Sequence, residues 1–157
     1  SLSFGEIIRY QEDTWIIFYP LLGQLSFIIF FISALAEGNR IPFDLSEAES
    51  ELISGYTTEY SGIKFALFYL AEYVHLFGIC VLGSIIFFGG SNGPFFSDNI
   101  LIVIKALLFF TLILFIRWSF FRIRIDQLLK FNWVKLIPLS FAGLLLACLL
   151  KYYMDFS

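Results

Sequence analysis

Four apolar runs, each of roughly the twenty residues needed to cross a bilayer, leave this chain few ways to fold. They fall at about 15–36, 63–88, 100–116 and 133–153. A helix rises about 1.5 Å per residue, so each run matches a hydrocarbon layer about 30 Å thick. Composition points the same way: 59% of the 157 residues are hydrophobic, 20% are aromatic and only 15% are charged. A soluble domain of this size still exposes much of its surface and could not bury so many apolar side chains. The expectation is an all-α integral membrane protein, one membrane domain over 1–157 with four transmembrane helices. Pro20, Gly23 and Gln24 in the first run and Pro138 in the fourth are tolerated where neighbouring helices cover the freed backbone groups. Trp15, Trp118, Trp133, Tyr152 and Tyr153 flank the runs as an interfacial aromatic belt would.

Charge distribution predicts the topology. Arg117, Arg122, Arg124, Lys130 and Lys135, five of the ten basic residues, lie in the connection 117–135. The positive-inside rule puts that connection on the cytoplasmic or matrix side. Four spans then place the acidic connection 37–62 on the same side, as a second inside loop. The turn-rich GGSNGPFFSDN (Gly89–Asn99) and both termini, with Glu6 and Glu12, face the other way. Asp126 beside three arginines suggests a local ion-pair network.

The acidic connection and the start of the next span carry the chemistry. Between residues 37 and 72 lie seven of the thirteen acidic residues: Glu37, Asp44, Glu47, Glu49, Glu51, Glu59 and Glu72, opposed by Arg40 and Lys64. Asp44 with Glu47 can form a capping box for a short helix ended by Gly55, which explains part of the set. The rest is unexplained by capping. Asp44, Glu47 and Glu51 share a helical face by spacing, and carboxylates that close disfavour joint ionisation. Such a cluster suits the holding and passing of protons better than a solvated acidic face.

Glu72 sits nine residues into its span, about 13 Å along the helix. A carboxylate there is costly and marks a functional site by default. Phe65, Phe68, Tyr69, Glu72 and Tyr73 recur at spacings of three and four. That face could take a flat apolar ligand with a polar head, although ordinary helix packing explains the aromatics more simply. Lys105 fits either a snorkelling lysine or an internal functional one. His75 reads as a hydrogen-bonded packing residue before it reads as a proton carrier. Cys80 and Cys148 lie in apolar runs without ligand-spaced partners, so neither a metal site nor a disulfide is expected. No phosphate loop, nucleophilic triad or metal-ligand cluster is present in the sequence.

These residues match a known family. AEGNRIPFDLSEAESELISGY (Ala36–Tyr56) resembles the most characteristic stretch of subunit 1 of the proton-pumping NADH:ubiquinone oxidoreductase, respiratory complex I, called the H subunit in bacteria. EYSGIKFALFYLAEY (Glu59–Tyr73) is similar to the family's next stretch, and IRWSFFRIRIDQLLKFNWVKLIP (Ile116–Pro138) to its last inside loop. The resemblance runs through nearly the whole chain in the family's order. Phe121 stands where the family usually has proline before Arg-x-Arg, which bears on that loop's local turn.

The resemblance implies the last four spans of an eight-helix subunit; with the first four missing and Ser1 opening the sequence without Met, the expectation is a trimmed or longer product, or a separate polypeptide supplying the first four. It implies a place where the membrane arm meets the hydrophilic arm, closing the lipid end of a ubiquinone tunnel and starting a proton path. Glu37 and Glu72 would belong to the intramembrane path, and Asp44, Glu47, Glu49, Glu51 and Glu59 would lie nearer the quinone. Arg40 and Arg117 would be charge partners, with Phe68 and Tyr69 as quinone contacts. Ubiquinone would be a substrate, nothing would be bound covalently, and flavin and iron–sulfur clusters would reside in other subunits. The partners would be other membrane-arm and hydrophilic-arm subunits and lipid, in the mitochondrial inner membrane or a bacterial plasma membrane. Two other readings stay open: the related membrane subunit of an energy-converting hydrogenase, and a structural anchor without a proton role.

Overall fold

The computed structural model describes residues 3–38, 42–43, 62–92, 98–121 and 123–156. Every regular element among them is helical: α1 (Phe4–Tyr10), a 3₁₀ turn (Ile16–Phe18), α2 (Leu22–Glu37), α3 (Ile63–Phe87), α4 (Asp98–Ser119), α5 (Ile125–Phe131), a π turn (Asn132–Leu136) and α6 (Ile137–Phe156). Three stretches are long and apolar enough to cross a membrane: Ile63–Phe87, Ile100–Ser119 and the continuous Ile125–Tyr153. Such helices are those of a multi-pass membrane protein. We call the end carrying Gly89–Asn92 outer and the end carrying Arg117 inner.

The first apolar run forms a shorter helix than its composition suggests. Pro20 has no N–H to give to a helix, and Leu21 after it takes a positive φ of 66°. The chain therefore turns between the 3₁₀ turn and α2. Gly23 is required there, because a Cβ would collide with the Ile16 carbonyl oxygen. What remains is a 16-residue helix, about 24 Å long.

At the inner side, the connection expected over 117–135 is largely helical. Residues 125–131 contain neither Gly nor Pro, and Asp126 in the first turn and Lys130 in the last suit the helix dipole. The π turn at Asn132–Leu136 then joins α5 to α6 without a break. It lies just ahead of Pro138, whose missing N–H frees a carbonyl one turn upstream.

The core lies where α2 and α4 meet the outer half of α3. Leu76, Cys80, Gly83, Ser84 and Phe87 recur on one face of α3 and are buried. Ala106, Phe109 and Ile113 on α4 pack with Leu76 and Cys80 in one cluster. Phe27, Phe30 and Phe31 of α2 complete it, with ring centroids 5.3 Å (Phe27–Phe87 and Phe30–Phe87) and 5.4 Å (Phe31–Phe109) apart. In lipid, this close packing replaces the hydrophobic effect as the main attraction between helices. Phe43 also joins the cluster, and Ile123 N–H donates to the Pro42 carbonyl at 3.0 Å. The segment after α2 is thus held against the segment after α4.

A polar knot fastens the outer end. The Lys105 ammonium donates to the carbonyls of Phe88 (2.7 Å), Gly90 (2.9 Å) and Asn92 (2.8 Å), and it lies 4.7 Å from the Trp15 ring centroid. Gln11 is fully buried. Its amide donates to Ile85 O (3.0 Å) and Ile7 O (3.3 Å), and its oxygen accepts from Gly89 N–H (3.1 Å) and Ile16 N–H (3.2 Å). Asn92 adds a bond to Ile8 O at 2.8 Å. Lys105 therefore caps the C-terminal end of α3, where exposed carbonyls favour a cation.

Candidate functional site

The site grows from a mismatch in length between α2 and α3. At their outer ends Phe27 meets Phe87 and Phe88. At the other end of α2, Glu37 meets His75, with His75 Nε2 3.6 Å from Glu37 Oε1. His75 is the midpoint of Ile63–Phe87, about 18 Å from either end of α3. The shorter helix thus delivers its last residue, a carboxylate, to mid-depth. Backbone that leaves a helix at that depth must be covered by protein or line a hydrated cavity, because lipid satisfies no polar group.

Beyond that level α3 stands clear of α2. Residues 63–75 are exposed, apart from Glu72, which is half-buried; burial begins at Leu76. Phe65, Phe68, Tyr69 and Tyr73 keep between 37% and 40% of their surface, so this aromatic face is available to a ligand or a neighbouring chain. Phe65 and Tyr69 lie 4.8 Å apart at a tilt of 55°. Glu72 and His75 are one turn apart on the same helix, so their side chains project from adjacent positions.

The structure brings Glu37 to His75, one turn from Glu72, while Tyr69 and Phe68 lie farther along α3, about 9 and 10 Å from His75 along the helix axis. It places Arg117 in the last turn of α4, half-buried. Arg40, Asp44, Glu47, Glu49, Glu51 and Glu59 lie outside the described residues, as do the capping box and Arg122. Among the described residues no group of His, Cys, Asp and Glu could hold a metal ion. Two residues matter more than sequence reasoning allowed. His75 faces Glu37 rather than the buried core. Gln11, in the polar stretch near the start of the chain, bonds to four backbone groups of the outer knot. The spacing of Glu72 and His75 was a usable signal for the first; Gln11 had none.

A separate groove of about 830 Å³ is lined mainly by α2 and α6, Gly23, Ser26, Ser140 and Gly143 among them, and by Tyr10, Ile16 and Tyr19 nearer the start of the chain. It is apolar, and none of Glu37, Phe68, Tyr69, Glu72 or Arg117 lines it. The ionisable site and this groove are therefore different places.

The sequence model of a family described as NADH dehydrogenase matches residues 1–148. The chain is 48% identical over 155 residues to the H subunit of NADH-quinone oxidoreductase from Bacillus cytotoxicus. It is 45% identical over 155 residues to the proteins of the same name from Bacillus thuringiensis and Bacillus cereus. Each alignment covers 96% of this chain and 46% of the relative, so the chain spans about half the length of the curated relatives it matches. With this identity along nearly its full length, the chain belongs to the NADH dehydrogenase family and corresponds to the C-terminal half of the oxidoreductase's H subunit.

Proposed function

We propose that this chain forms part of the membrane arm of a proton-translocating NADH-quinone oxidoreductase, helping to wall the quinone site and passing protons from it into the membrane. The observation that carries the reading is the pairing of α2's terminal Glu37 with mid-α3, one turn from half-buried Glu72 and beside the aromatic face. Intramembrane carboxylates are retained where ions or protons move. Phe68 and Tyr69 suit the flat ring of a quinone, and Glu72, one turn along α3, supplies the polar end. Asp44, Glu47, Glu49, Glu51 and Glu59, with Arg40, would continue the path toward the quinone, and Arg117 would balance charge at the inner end.

In this reading the residues 15–36 form a fourth span with a broken start, and 37–62 and 117–135 face inside. The helices of the family's other half, on a continuation of this chain or on another, complete the eight-helix assembly. The relatives are bacterial, which favours a plasma membrane location. Flavin and iron–sulfur clusters belong to partner subunits, and quinone binds as a substrate, not as a covalent group. Quinone reduction alters the local charge, and the carboxylates respond by taking up or releasing protons. That response drives transport only if the carboxylates' proton affinity differs between two states of the site.

Glu72→Gln tests the proposal. The amide keeps the shape and loses proton exchange. In a fully assembled complex, quinone-coupled turnover and proton pumping should fall together by roughly a hundredfold, the lower range for loss of a proton-transfer group. Wild-type turnover with a wild-type proton-to-electron ratio would remove Glu72 from the path and leave the structural-anchor reading.

A further inference from the structure

We propose that His75 carries protons between Glu72 and Glu37, so that the two carboxylates exchange a proton through its imidazole. The proposal rests on the relay reading above and adds to it a member that the family resemblance does not supply. Three observations carry it. His75 Nε2 lies 3.6 Å from Glu37 Oε1, within ion-pair reach across two helices. Glu72 lies one turn N-terminal on α3, three residues from His75, a spacing at which side chains on a helix are neighbours. And the His75 side chain is 55% exposed while its neighbour Leu76 is fully buried, so His75 does not serve the packed core.

The chemistry balances without any other reactant. A neutral imidazole with its proton on Nε2 accepts the Glu72 carboxyl proton at Nδ1, which leaves Glu72 as a carboxylate. The imidazolium then gives its Nε2 proton to the Glu37 carboxylate. Glu37 ends protonated and His75 ends neutral with its proton on Nδ1; loss of that proton to water and gain of one from water at Nε2, with no net change in protons, restores the starting tautomer. The reverse sequence moves a proton the other way. A distance of 3.6 Å is longer than a hydrogen bond, so the transfer step needs a closer approach of the two side chains or one bridging water. That looseness suits a carrier that must release what it binds. Histidine is the side chain able to take up and release a proton near neutral pH.

The experiment uses the whole complex in proteoliposomes, with NADH:quinone turnover and proton pumping both recorded. His75→Ala should lower turnover about a hundredfold, at the low end of the effect of removing a proton-transfer group. Added imidazole should recover turnover severalfold in His75→Ala and leave Glu37→Gln unchanged. His75→Asn keeps a polar group for packing and carries no proton, so it should be as slow as His75→Ala. Wild-type turnover in His75→Ala, full turnover in His75→Asn, no recovery with imidazole, or failure of both variants to assemble would each overturn the proposal in favour of a packing role. The relay reading is judged separately. If Glu37→Gln and Glu72→Gln keep wild-type pumping, that reading falls and this proposal with it. If they lose pumping and His75→Ala does not, only the role of His75 falls.

Discussion

The outer end of α3 and its middle are built on opposite principles. At the outer end the Lys105 ammonium meets three backbone carbonyls, and the amide of fully buried Gln11 is bonded on both its oxygen and its nitrogen. At mid-depth, Glu37 and His75 meet at 3.6 Å with 71% and 55% of their side chains exposed. Buried polar networks that are fully satisfied rigidify a structure, and one that loses a member becomes a liability. A loose pair costs little to open. The difference teaches where this chain stores its stability and where it keeps its freedom: the outer knot anchors α1, α3 and α4, and the mid-depth pair is left able to change partners.

The comparison breaks if the outer knot proves dispensable. Lys105→Met removes all three N–H donors and strands the carbonyls of Phe88, Gly90 and Asn92. Charge-assisted bonds contribute about 1.5–3 kcal/mol each and their loss is only partly offset by water, so a destabilisation of about 3 kcal/mol or more is expected. It should appear as a lowered thermal midpoint of the purified complex and a smaller yield of assembled chain. Lys105→Arg should recover only part of this, because a planar fork cannot point three donors at three converging carbonyls. Next in size, Gln11→Leu leaves Ile85 O and the N–H groups of Gly89 and Ile16 without their partner at a fully buried position. A loss of about 2 kcal/mol is expected by the same measurement. Gly23→Ala, which forces α2 away from the Ile16 carbonyl, should cost roughly 1–3 kcal/mol as overpacking does.

The apolar helices were legible in the sequence because length and composition suffice for them. α3 and α4 need nothing beyond an unbroken apolar run. α2 was harder. Pro20 was visible, but a helix can carry a proline, and only the positive φ of Leu21 together with the contact between Gly23 and Ile16 ends the run there. Counting basic residues hid α5, although Asp126 early, Lys130 late and the lack of Gly or Pro were all readable. The site was legible as residue types and not as pairs. Glu37 and Glu72 stood out as carboxylates at apolar depth. That Glu37 should stop beside His75 depends on where α2 ends relative to α3, a distance no local pattern encodes. For the same reason Lys105 could not be assigned: its three acceptors are backbone atoms of a turn, and backbone acceptors leave no signature in side-chain sequence.

The smallest expected effect sharpens the contrast most. Glu37→Gln preserves the volume of the side chain and removes its exchangeable carboxyl proton from the contact with His75. At 3.6 Å, with both side chains more than half exposed, the pair makes no hydrogen bond whose loss would leave a buried partner unsatisfied. The thermal midpoint of the complex should therefore fall far less than in Lys105→Met or Gln11→Leu, which strand buried partners. Pumping should nevertheless collapse, since an amide neither takes up nor releases a proton in this range. A variant that is stable and silent beside Lys105→Met, which is unstable from the outset, would separate the two regions by experiment. If Glu37→Gln instead lowered the midpoint as far as Gln11→Leu does, the mid-depth pair would be part of the scaffold, and its looseness in the structure would have no bearing on proton movement.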